Sequence, residues 1–115
     1  MSKIKIMCTS TGCIDYAPER YKSLGIDIIR IFDALNDLRN LKLAIETTVK
    51  NGALASGAIS YTTSPVHTHE KYVAMVKELK EMGASTICIK DMSGIVGPQE
   101  IYDLVSAIKD AVDLP

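Results

Sequence analysis

The sequence predicts an α/β chain built on a parallel sheet, and three observations carry that prediction. Short apolar runs alternate with longer amphipathic ones. Most of the short runs are rich in isoleucine, as strands covered on both faces tend to be. Prolines and glycines stand where helices start and stop. Strand–helix alternation with right-handed crossovers makes neighbouring strands parallel.

The elements follow in order. Ile4 to Cys8 is the first strand, and Pro18 opens a first helix that Gly25 closes. Ile26 to Phe32 is the second strand. Leu38, Leu41, Ile45 and Val49 mark one face of the second helix, which stops at Gly52. Ala55 to Tyr61 is a weaker strand, recognised by its place between two helices. Tyr72, Val73, Val76, Leu79 and Met82 recur at helical spacing up to Gly83. Thr86 to Ile89 is the fourth strand. Pro98 begins a fourth helix carrying Ile101, Leu104, Val105, Ile108 and Val112. The result is four βα units.

Composition bounds the rest. With 115 residues, 47% hydrophobic and 23% charged, the chain suits one domain over residues 1–115 and is neither disordered nor collagenous. A net charge of −1 offers no electrostatic ground for nucleic acid or an anionic membrane. No apolar run approaches the roughly 18 to 20 residues of a membrane span. MSKIKIMCTS lacks the apolar core of a secretory signal. Cys8, Cys13 and Cys88 cannot all pair in one chain, so reduced thiols in a cytoplasm are expected. Cys88, inside TICI, reads as a small buried hydrophobe. A complete (β/α)8 barrel, at about 250 residues, is excluded by length.

In parallel α/β folds the chemistry gathers at the carboxyl ends of strands. Alternation sets Arg30 opposite Ile29 and Ile31. A guanidinium in a sheet buried on both faces needs a partner: a bound carboxylate, or Asp33 or Asp27 at an exposed edge. Lys90 ends the fourth strand beside Asp91. It is open to a Schiff base, an anion, a metal-binding carbamate, or a solvent-side pair with Asp91. His67 and His69 form an H-x-H at a loop–helix junction. Such a pair either chelates a metal, caps the helix or faces solvent. SGIVGP places Gly94 and Gly97 before the fourth helix, where an anion could sit. No Walker A, GxGxxG or Ser-His-Asp signature is present.

GIDIIRIFDALNDLRN, GAISYTTSPVHT and MGASTICIKDMSGIVGP closely resemble the carboxyltransferase domain of biotin-dependent enzymes, over about residues 25–115. These include the oxaloacetate decarboxylase alpha subunit and pyruvate carboxylase. The resemblance implies part of a (β/α)8 TIM barrel, as an open parallel sheet or a self-associating half-barrel. It implies transfer of a carboxyl group between biotin and pyruvate or oxaloacetate. It further implies a divalent metal (zinc, cobalt or manganese), carboxybiotin and a biotin carrier domain. In RIFD it assigns Arg30 to the keto-acid carboxylate. In CIKDM it assigns Lys90 to a carboxylated, metal-binding lysine. The family's LRD-type aspartate and its later H-x-H have no counterpart here, and His67 and His69 occupy the earlier SPVHT position. Little or no activity is therefore expected of the chain alone.

Residues 1–31 instead resemble the start of a DegV-type fatty-acid-binding protein. That resemblance implies a lipid carboxylate held by Thr9, Ser10 and Thr11, and a fusion junction near residues 25–31. A lipid or carboxylate binding module, or a non-catalytic half-barrel that associates with itself, is the alternative function.

Overall fold

A computed structural model describes residues 6–10 and 18–115, with side chains from Arg20 onward except Lys22. The elements run β1 (Ile6–Ser10), α1 (Pro18–Ser23), β2 (Ile28–Phe32), α2 (Leu38–Lys50), β3 (Leu54–Ser60), α3 (His69–Glu81), β4 (Thr86–Lys90) and α4 (Pro98–Ala111). The α/β alternation read from the sequence is present. Boundaries differ by one to three residues where Gly25, Asp27 and Thr68 set local turns and caps.

The four strands form one parallel sheet in the order β1-β2-β3-β4. Sequential order with right-handed crossovers puts every helix on the same face. Tyr21 of α1, Ile45 of α2, Val76 of α3 and Leu104 of α4 all meet one core with Ile29, Ile31, Ala55 and Ile59. This singly wound arrangement belongs to a barrel wall.

Alternation then divides the side chains. Ile29, Ile31, Ala55, Gly57 and Ile59 face the helices. Arg30, Ser56 and Thr86 share a row on the other face, as do Phe32, Ala58 and Cys88; Ser60 pairs with Lys90 above them. Full burial of each isoleucine or leucine on the helix side contributes about 1.5 to 3 kcal/mol. Gly57 lets α3 approach closely, since a Cβ there would lie 3.2 Å from both Leu79 methyl groups.

Caps explain where the helices begin. Asp37 accepts from the Arg39 amide at the start of α2, and Thr68 from the Lys71 amide at the start of α3. Pro98 follows the Gly97 cap of α4. Gly52 and Gly83, at φ +77° and +105°, follow α2 and α3 in a conformation that side chains disfavour. Two apolar positions assigned to helix faces, Val49 and Val105, are exposed, whereas Ala44 and Thr48 are buried in their stead on α2.

Candidate functional site on the uncovered sheet face

Parallel pairing brings the carboxyl ends of β2, β3 and β4 to one rim of the sheet. Arg30, Phe32, Cys88 and Lys90 stand together on the face away from the helices. Lys90 Nζ reaches back across β3 to lie 4.6 Å from the centroid of the Phe32 ring. Phe32 is two residues beyond Arg30 on the same strand, about 6.6 Å along it. The Phe32 ring thus carries Lys90, and Arg30 precedes it by two residues on the same face. Cys88 corrects its sequence reading: it is half-buried on this face rather than packed in the helix-side core.

Asp33 and Asp91, two of the carboxylates proposed from sequence, are engaged elsewhere. Asp33 Oδ2 accepts from the amides of Leu35 and Asp37, both at 3.0 Å, and its Oδ1 from Asn40 Nδ2. Asp91 accepts from the amides of Ile95 at 3.1 Å and Val96 at 2.9 Å. Among the ion pairs given for the described residues, neither Arg30 nor Lys90 takes part. Arg30 Nε is buried without a hydrogen-bond partner among them. A donor buried in that state costs about 1 to 3 kcal/mol.

Asp91 also decides the SGIVGP turn. Its carboxylate is held below the usual range, chiefly by the Val96 amide and then by the amides of Ile95, Gly94 and Ser93. The anion served by that turn is therefore the chain's own.

The rim is stiffened from β2 to β3. Asn36 adopts φ +57°, a left-handed conformation that asparagine tolerates better than most residues. Its side chain donates to the Ser60 carbonyl at 2.8 Å and accepts from the Ser60 amide at 2.7 Å. Ser60 Oγ donates to the Asp33 carbonyl at 3.1 Å.

His67 and His69 do not form a metal pair, and neither caps α3. His67 Nδ1 lies 2.7 Å from Ser64 Oγ and its ring tilts against Tyr72. His69 Nε2 lies 2.8 Å from Glu100 Oε1. The cap is Thr68, the residue between them. Among the described residues no three His, Cys, Asp or Glu side chains gather around one point. The described residues therefore do not fit a divalent metal centre by themselves. No described helix is long and apolar enough to cross a membrane.

Sequence reading missed Phe32, Asn36, Tyr61 and Glu100. The period of two from Arg30 marks Phe32 as its neighbour on the face. No local signal marks the other three, which act through partners 24 to 31 residues away.

Comparison with known proteins gives this geometry a context. No protein-family model matches the chain. A pyruvate carboxylase subunit of Methanocaldococcus jannaschii is 57% identical over 91 residues, 79% of this chain and 16% of that protein. The methylmalonyl-CoA carboxyltransferase 5S subunit of Propionibacterium freudenreichii is 44% identical over 97 residues, 84% of this chain and 19% of that protein. The carboxyl transferase domain of Rhizobium etli pyruvate carboxylase, solved with 3-bromopyruvate, superposes with a TM-score of 0.92 at 26% identity. That match covers 97% of this chain and 22% of that one.

The chain is thus a stretch of carboxyltransferase barrel wall, bearing its cations on the face that such a barrel turns inward. More particularly, it belongs with the pyruvate carboxylase-like enzymes, corresponding to part of their carboxyltransferase domain. It spans about a sixth of the length of these curated relatives, 16% and 19%. The structural match covers nearly all of the chain, so it extends into the segment that resembles a DegV-type start. The side chains of Cys8, Thr9 and Ser10, and all of Thr11 and Cys13, lie outside the described residues.

Proposed function

We propose that this chain carries the keto-acid side of a biotin-dependent carboxyltransferase site. Arg30 holds the carboxylate of pyruvate or oxaloacetate, and Lys90, as a carbamate, contributes one oxygen donor toward a divalent metal. Carboxybiotin on a biotin carrier domain is the partner in carboxyl transfer. The observation that carries this reading is the buried Arg30 Nε without a partner, on the same open face as Lys90. A planar guanidinium is suited to a two-point carboxylate contact, and a carboxylate ligand supplies the missing acceptor. Metal, carrier and the opposite barrel wall are not provided by the described residues, so the chain alone does not turn over substrate.

The test uses the 115-residue chain. Oxalate or pyruvate shifts the Arg30 Nε–Hε resonance in a saturable way, and Arg30→Lys abolishes the response. An unmoved resonance overturns the assignment of Arg30. Oxaloacetate decarboxylation stays at the level of free metal alone. Decarboxylation well above that level, lost in Lys90→Ala, overturns the inactivity of the isolated chain.

Two copies closing into a barrel would place two Arg30 and two Lys90 side chains in one interior. Anions bound in that interior would offset the like charges. Self-association through the open sheet edges remains the alternative, and sedimentation tests it: a dimer supports half-barrel pairing, and a monomer at high concentration argues against it.

A further inference from the structure

We propose that Asn36 is a positioning residue for Lys90: its carboxamide stands in for the missing end of β2 and so fixes the strand end to which Lys90 is hydrogen-bonded. The proposal rests on the reading of Lys90 as a site residue and names what holds it in place.

The strands end unequally. The last pair between β2 and β3 is Phe32 with Ala58, whereas β3 runs on to Ser60, which pairs with Lys90 on its other side. In a parallel ladder, successive residues of a middle strand turn their amide and carbonyl to opposite neighbours. Leu54 donates to the Asp27 carbonyl, toward β2, at 2.9 Å, and Tyr61 donates to the Lys90 carbonyl, toward β4, at 2.8 Å. The amide and carbonyl of Ser60 therefore face β2, beyond its last residue. Ser60 is buried, with 3% of its surface exposed, so both groups need partners.

A continued β2 would offer them the Asp33 carbonyl and the Leu35 amide. Both are diverted. The Leu35 amide donates to Asp33 Oδ2 at 3.0 Å, and the Asp33 carbonyl accepts from the Asn36 amide and from Ser60 Oγ, both at 3.1 Å. The Asn36 side chain takes their place, having the acceptor and the donor of a peptide group. Its Oδ1 accepts from the Ser60 amide at 2.7 Å, and its Nδ2 donates to the Ser60 carbonyl at 2.8 Å. The left-handed backbone at Asn36, φ +57°, accompanies that reach.

Tyr61, the residue bonded to Lys90, comes next. Thr62 after it is held by the Tyr72 hydroxyl, which donates to its carbonyl at 2.9 Å and accepts from its amide at 3.0 Å. Lys90 thus meets a three-residue stretch fixed at one end by Asn36 and at the other by Tyr72. On the open face its Nζ lies 4.6 Å from the ring centroid of Phe32, on the strand whose following turn carries Asn36. Released at Ser60, the stretch frays from that end, and the bond between Tyr61 and Lys90 opens more often.

Amide hydrogen exchange of the 115-residue chain, without ligand, tests this at Ala58, Ser60 and Tyr61. In Asn36→Gly, protection falls about tenfold at Ser60 and about threefold at Tyr61, while Ala58 stays within about twofold of the wild type. The Lys90 Hε protons, shielded by the Phe32 ring, move toward their unshielded position. Asn36→Asp carries the same test within one folded sample. As a carboxylate it accepts from the Ser60 amide but repels the Ser60 carbonyl; once protonated it regains a donor. The facing carbonyl and burial raise its titration above the usual aspartate value of about 3.9. Relative to the wild type at each pH, which keeps Asp33, Asp37 and Asp91, protection at Tyr61 and the Lys90 shift recover as this carboxyl is protonated. Ser60→Ala, which deletes the bond to the Asp33 carbonyl and keeps both carboxamide bonds, leaves Tyr61 within about twofold of the wild type. An equal fall at all three amides reveals general destabilisation and overturns the proposal. So does an unchanged Tyr61 amide, an unmoved Lys90 shift, the absence of recovery in Asn36→Asp, or a Ser60→Ala chain that reproduces the fall. None of these readouts uses a ligand or turnover, so failure of the site reading is seen separately.

Discussion

Replacing Arg30 with methionine should make the chain more stable while removing its carboxylate response. The guanidinium Nε is buried without a partner among the described residues. That state costs about 1 to 3 kcal/mol. Methionine keeps an unbranched stem against the neighbouring strands and deletes the donor. Some aliphatic packing is lost, so the net gain is about 1 to 2 kcal/mol. For a chain of this size that corresponds to a rise in Tm of about 4 to 10 °C. Urea unfolding reads it as a higher midpoint at unchanged slope. A second arm adds oxalate. At one hundred times its Kd a ligand stabilises a protein by about 2.7 kcal/mol, and Arg30→Met gains nothing from it. A variant less stable than the wild type would refute the reasoning, because it would mean that the guanidinium already has its hydrogen bonds.

Other perturbations test other parts of the structure. Gly57→Val should cost about 2 to 3 kcal/mol in urea melts, because a Cβ already meets both methyl groups of the fully buried Leu79. Asn36→Ala loses two short bonds to Ser60 while keeping the left-handed backbone, so a loss of about 2 to 3 kcal/mol is expected; Asn36→Gly, which relieves the backbone, should lose about 1 kcal/mol less. Asp91 has a folded pKa below its unfolded one, chiefly because of the Val96 amide. Its stabilising contribution is therefore complete above the unfolded carboxylate range and is lost as pH falls through the folded value. Asp91→Ala should flatten the acid limb of a stability–pH profile below about pH 5, with the Arg30 resonance unaffected.

Much of the candidate site was legible because strand periodicity is local. Arg30 between Ile29 and Ile31 had to point away from them, and the structure places it on the opposite face from that pair. Lys90 at the end of an apolar run had to reach the rim. Asp33 and Asp91 misled for an equally local reason. Adjacency in sequence suggested ion pairs, yet backbone amides two to five positions away reach an aspartate more readily than a side chain across the sheet does. The two histidines were adjacent in pattern but divided in space, because the turn into α3 sends one to Ser64 and the other to Glu100.

By itself, then, the sequence determined the alternation of strands and helices, the side of the sheet that Arg30 occupies, and the kinship with carboxyltransferases. These follow from spacing along the chain and from contiguous motifs. Only the tertiary structure decided that all the helices share one face, that the Lys90 ammonium lies over the Phe32 ring, that Arg30 Nε is left without an acceptor among the described residues, and that Glu100 of α4 meets His69 of α3. Each of those depends on residues tens of positions apart meeting through sheet register and helix packing, and no local period encodes that distance.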